Sequence, residues 1–349
     1  MQRVGQTLRQ RDVTRIYLVH GTFVGHDAGG LIGELARFMP GVREQLAASV
    51  KQGIDWIVGD RGNFTVDYAR RLREALGGNE GEPIDVQIFR WSSENHHLGR
   101  ADGAVRLLAE LLRQPTSPQG RTLLVGHSHA GNVFALLTQL LSGDRDGVAT
   151  FFDAARCYYE IPLLRKNDVP EWSEMRERLR EQPQPIDPQR LDLVTLGTPI
   201  RYGWNPQGFA RLLHLVSHRP SPGLPPHLGK FPPTLDELNR AVGGDYVQQF
   251  GIAGTNTPPN WLMGRSWLAD ARLHRLLQRG LTGGLFERLS IGQRVPDTGE
   301  TLLVDYGEQS GSVLDHLAGH AVYTLESQML FLAEQIAEWY SVGPTVNVA

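Results

Sequence analysis

The segment Thr122-Leu123-Leu124-Val125-Gly126-His127-Ser128-His129-Ala130-Gly131-Asn132-Val133 constrains the chain more than any other. An apolar run, a knot of small residues around one serine and a helix-compatible run follow one another without a gap. That pattern predicts a strand, a tight turn and a helix in immediate succession. A serine on such a turn has its hydroxyl raised above the sheet, and the small neighbours Gly126, Ala130 and Gly131 let strand and helix close around it. The same residues also suit an ordinary turn in which Ser128 caps a helix, so the rest of the chain must discriminate.

The rest of the chain repeats the alternation. Residues 15–19, 85–89, 191–196, 247–253 and 301–305 read as buried strands, and residues 31–50, 65–76 and 103–112 as amphipathic helices. A long closing helix is expected over about 320–340. Strands alternating with helices predict an α/β fold, with a mostly parallel central sheet and helices on both faces. Segments 144–188, 204–244 and 255–296 are too long for simple connections and are rich in Pro, Gly, Trp and Arg. They predict a single domain over 1–349 that carries a cap built from these insertions. Trp204, Phe209, Trp261, Leu262 and Trp267 in them suit either the core of that cap or an apolar substrate wall.

Charge narrows the partners. With 35 Lys and Arg against 38 Asp and Glu, a formal net charge of -3 gives no electrostatic footprint for nucleic acid. No apolar run reaches the roughly 20 residues of a membrane span. Residues 1–15 are polar and basic and lack the apolar stretch of a secretory leader, so cytoplasmic residence is the expectation. The one cysteine, Cys157, allows no internal disulfide and has no activating neighbours. Glu94, His96 and His97 lack the spacing of a zinc-hydrolase motif, so neither a metal nor a cofactor is expected. Nothing in the pattern gives the oligomeric state.

A serine hydroxyl needs a base to attack a carbonyl and donors to hold the oxyanion that forms. The backbone N–H of His129, just after the serine, is one candidate donor. Leu18-Val19-His20-Gly21-Thr22-Phe23 supplies the other, because Gly21 lets the chain turn and aim the N–H of Thr22, or of Phe23, into the site. His320, preceded by Gly319 and placed between the last strand and the closing helix, is the expected base, with His316 as the alternative. The carboxylate that orients it is sought around the last strand. Asp297, in the turn Val295-Pro296-Asp297-Thr298-Gly299, is preferred over Asp305, Asp270 and Glu300.

Taken together, Val19-His20-Gly21-Thr22, Gly126-His127-Ser128-His129-Ala130-Gly131, Leu196-Gly197-Thr198-Pro199 and Gly319-His320 resemble the bacterial lipase and esterase branch of the α/β-hydrolase superfamily. Arg90-Trp91-Ser92-Ser93-Glu94-Asn95 followed by Arg100 resembles the stretch before the second helix of those lipases. The resemblance implies hydrolysis of carboxylic esters, lipid esters among them, through an acyl-enzyme on Ser128, with Phe23, Thr198 and Pro199 bordering the substrate. Two departures stand out. Ala130 replaces the last glycine of the family's elbow, and Gln293-Arg294-Val295-Pro296 stands where the family carries Asp-Gly. An acyltransferase on the same scaffold, or a ligand-binding member without chemistry, would present the same motifs.

Overall fold

The computed structural model describes residues 1–21, 63–77, 82–114, 119–161, 166–167, 169–199, 201–253, 256–277, 289–311 and 313–342. Its organising feature is side-chain alternation along strands that are buried on both faces. Tyr17 and Val19, Leu124 and Leu193 enter one apolar layer, whereas Ile16 and Leu18, Leu123 and Val125, and Val194 and Leu196 enter the other. Among the described residues the sheet has six strands, of which the one at the far edge is only half-buried. They are β1 (Val13–Val19), β2 (Asp85–Phe89), β3 (Arg121–His127), β4 (Leu191–Leu196), β5 (Arg211–Ser217) and β6 (Glu300–Val304). Every pairing in their sheet is parallel, in the order β2-β1-β3-β4-β5-β6.

Helices cover both faces, as parallel strands require. Helices α1 (Gln2–Gln10), α2 (Val66–Leu76) and α9 (Met329–Ser341) pack on one face. Helices α3 (His97–Arg113), α4 (Ala130–Leu140), α5 (Arg145–Tyr159), α6 (Pro170–Glu181) and α8 (Gly264–Leu277) pack on the other. Helix α2 starts where the sequence places its cap, with Thr65 Oγ1 accepting the Tyr68 amide at 3.0 Å. Segment 144–188 supplies α5 and α6, which thicken the layer beside α3. Trp172 of α6 is fully buried between Phe151, Phe152 and Tyr159, and its Nε1 donates to Asp102 of α3 at 2.8 Å.

Three expectations are corrected. Residues 247–253 form no strand but a helix, α7 (Tyr246–Ala253), whose buried Tyr246, Val247 and Phe250 recur at helical spacing. The missing strand is β5, which lies inside the stretch 204–244 that the sequence assigns to an insertion. Its Arg211 and His214 hide an otherwise apolar run. The closing helix begins at Met329, and residues 321–328 before it are short 3-10 turns. The helix expected over 31–50 lies outside the described residues. Among the described residues no helix is long and apolar enough to cross a membrane.

Candidate active site

In an open parallel sheet the crevice at the carboxyl ends of the strands forms where successive connections leave in opposite directions. Here that point lies between β1, whose connection runs outward to β2, and β3, whose connection runs toward β4. Gly21 and Ser128 follow those two strands. Ser128 adopts φ 56°, a left-handed conformation unusual for a residue with a side chain. It is held there from both sides. Its amide donates to the carbonyl of Leu196 at 2.8 Å, and its own carbonyl accepts from Thr198 Oγ1 at 2.7 Å. The turn leads straight into α4, with His129 at the cap position.

Close packing explains the small residues. A Cβ on Gly126 would stand 2.5 Å from Phe134 of α4 and 3.1 Å from the Cβ of Ala130. Gly126 therefore leaves the room that lets alanine stand where glycine is usual. A Cβ on Gly21 would lie 2.5 Å from the Cβ of Ser128 and 3.2 Å from its Oγ. This glycine is required for close approach to the serine. Trp91 Nε1 steadies the loop by donating to the carbonyl of His20 at 2.8 Å, while Ser93 Oγ meets His20 Nδ1 at 3.0 Å.

His320 reaches this end of the sheet through its neighbour. Its carbonyl accepts from Nε2 of His127, the residue before Ser128, at 3.0 Å, and the two imidazole rings lie 4.5 Å apart. Nδ1 of His320 donates to Oδ2 of Asp245 at 2.7 Å, and neither side chain is exposed. Because a carboxylate only accepts, this bond fixes the neutral tautomer and leaves the lone pair on Nε2. Burial alone would raise the Asp245 carboxyl. The adjoining His320, the Gln248 amide and the nearby Arg294 charge outweigh it and hold the carboxyl below its ordinary value. His129 is also fully buried, and burial, reinforced by the charges of Arg100 and Arg201, keeps its imidazole well below the ordinary range. The His129 side chain is therefore a poor base.

Asp245 is the residue that the sequence reading missed, and Asp297 is displaced by it. Asp297 is exposed and precedes β6, at the amino ends of the strands, so the length of the sheet separates it from Ser128. The other carboxylates are engaged elsewhere. Asp305 pairs with Arg219 at 2.9 Å, Asp270 accepts the Leu98 amide at 2.8 Å, and Glu300 accepts from Trp339 at 2.8 Å. His316 accepts the Gly319 amide through Nδ1 and donates through Nε2 to the carbonyl of Asn239, so it props the loop that carries His320. A signal for Asp245 was present. In Asp245-Tyr246-Val247-Gln248 the aspartate side chain accepts the amide three residues on, at 2.8 Å, as a helix N-cap does.

The flanking residues divide. Thr198 and Pro199 border the elbow, the latter accepting from Asn132 Nδ2 at 3.0 Å. Thr22 and Phe23 lie outside the described residues. Phe209 is buried in the core, and the half-buried Trp204 stacks edge-on against it. Trp261 and Trp267, 74% and 45% exposed, instead line a cavity of about 850 Å³ together with Ser93, Glu94, His96 and Tyr158. His96 lies 3.4 Å from Glu94 and 3.6 Å from Asp270, and no group of three or more metal-ligating side chains occurs among the described residues. Comparison of the chain with protein-family models, with curated proteins and with solved structures finds no match.

Proposed function

We propose that the chain is a serine hydrolase of the α/β-hydrolase type, cleaving carboxylic esters, lipid esters among them, through an acyl-enzyme on Ser128. One observation carries the reading. A serine at φ 56° and a fully buried His320–Asp245 pair at 2.7 Å stand at the same end of the sheet. Backbone strain of this kind costs on the order of 1–3 kcal/mol and clusters at functional sites. An ordinary helix cap needs neither the strain nor the buried pair. The chain order Ser128, Asp245, His320 is also the order of this scaffold.

In the first half of the reaction Ser128 Oγ bonds to the ester carbonyl carbon while its proton passes to His320 Nε2. The carbonyl π electrons move onto oxygen, where the N–H groups of His129 and Thr22 are the expected donors. Asp245 stays ionised and stabilises the imidazolium. Collapse of the intermediate expels the alcohol, which takes the proton from His320. Water then adds by the same steps and releases the acid and the free serine.

Labelling with a fluorophosphonate probe, alongside turnover of short and long p-nitrophenyl esters, tests the reading. The expected result is that the native protein labels, Ser128→Ala does not, and ester turnover disappears with the label. Absence of labelling in the native protein, with detergent present to open any cover over the site, would overturn it.

A further inference from the structure

Asp245 is held by more than its bond to His320. Oδ2 also accepts from the Tyr323 hydroxyl at 3.1 Å, and Oδ1 accepts the Gln248 amide at 2.8 Å. The tyrosine oxygen in turn accepts the backbone N–H of Ser217, the last residue of β5, at 2.7 Å. With the strand amide on its lone pair, the hydroxyl has its proton directed at the carboxylate. Gly197 makes room for this arrangement, since a Cβ there would stand 2.5 Å from Tyr323 and 2.6 Å from Asp245 Oδ2. Behind the acid lies Arg294, which is fully buried. Its guanidinium donates to the carbonyls of Asp245 and Gly243 and to Oε1 of Gln248 and Gln249. Those four acceptors are all neutral. A buried charge supplied with neutral acceptors is costly to keep, and among the described residues the carboxylate whose charge favours it is Asp245.

We propose that Tyr323 and Arg294 are positioning residues that set the basicity of His320 through Asp245. The inference rests on the reading of His320 as the general base. A carboxylate that shares its charge with a phenol proton and a nearby guanidinium attracts the imidazolium proton less strongly, so removing either raises the affinity of His320 for its second proton. The other titratable groups facing the pair are His127, whose ring lies 4.5 Å from that of His320, and His129. His218 and Tyr246 face Arg294, and Tyr306 packs edge-on against Tyr323. All five remain in the variants, so a shift reports on the residue removed.

The test is the titration midpoint of the His320 ring by NMR, with His320→Gln for assignment, together with the pH dependence of the labelling rate. Both are measured in the native protein, Tyr323→Phe and Arg294→Met. The expected result is a midpoint, and an acid limb, raised by about half a unit in Tyr323→Phe and by about one unit in Arg294→Met, so labelling at low pH falls roughly three-fold and ten-fold. Labelling at high pH falls less. An unmoved or lowered midpoint in both variants would overturn the proposal and reduce the two residues to packing. Should Arg294→Met fail to fold, Tyr323→Phe, which removes a single oxygen, decides alone. A native protein that does not label defeats the hydrolase reading, whereas the NMR midpoint still judges the coupling.

Discussion

Asp192 and Asp245 are fully buried at opposite ends of the sheet, and each is held by a base and a tyrosine hydroxyl. Asp192, near the start of β4, accepts from Arg121 at 2.7 and 2.6 Å and from Tyr340 at 2.6 Å. Asp245, beyond the end of β5, accepts from His320 at 2.7 Å and from Tyr323 at 3.1 Å. The bases differ. The guanidinium of Arg121 is permanently charged and grips its carboxylate through two nitrogens, so that cluster ties the start of β3 to β4 and α9 and has no second state. An imidazole, unlike a guanidinium, has both a neutral and a charged form available to it. A buried acid is therefore weak evidence of chemistry until its partner is known.

Asp245→Asn breaks the comparison most sharply. The amide can offer its N–H to His320 Nδ1 and favour the wrong tautomer, so ester turnover should fall about 10³- to 10⁴-fold with the fold intact, as circular dichroism would show. Retention of a tenth of the activity would remove Asp245 from the site. Asp192→Asn should do the reverse. It leaves Arg121 half-buried without its counter-charge, and urea unfolding should report a loss of about 3 kcal/mol. Turnover per folded molecule should not change.

A third buried group sharpens the contrast between fixed and titrating partners. His214 of β5 donates Nε2–H to the carbonyl of Thr298 at 3.0 Å and meets the Thr195 hydroxyl through Nδ1 at 2.6 Å, so the neutral ring has both nitrogens satisfied. Burial pushes its pKa down to about 4 from an ordinary 6.5. The unfolded chain thus binds a proton that the folded chain refuses. The stability contributed is complete above pH 6.5 and drains away as pH falls toward 4. Urea midpoints measured across that window should decline, with a change on the order of 2–3 kcal/mol. His214→Gln should flatten the decline, and an equally steep decline in that variant would assign it to other groups.

The half of the candidate site that is local is legible in the sequence. Ser128, His129 and Gly126 announce themselves because strand, turn and helix are contiguous, and the close packing of Gly21 on Ser128 follows from a short motif. His320 was legible from its position between the last strand and the closing helix. Asp245 was not, because its place depends on which segment forms the fifth strand. Arg211 and His214 interrupt the apolar signal of β5, while Val247, Phe250 and Ile252 lend α7 the look of a strand. Exchanging the two moved the expected partner of His320 from Asp245, which the structure sets against it, to Asp297 at the opposite end of the sheet. Side chains that serve the acid from a distance, Tyr323 and Arg294, carry no local signature at all.

The bond between His127 and the carbonyl of His320 has a consequence for biosynthesis. Ser128 is translated long before His320, and the loop bearing His320 can dock against β3 only after most of the chain has left the ribosome. On the proposed reading, Ser128 until then lacks the base that would take its proton. A growing chain would thereby be inert toward the esters around it, with reactivity arriving only once that loop has docked.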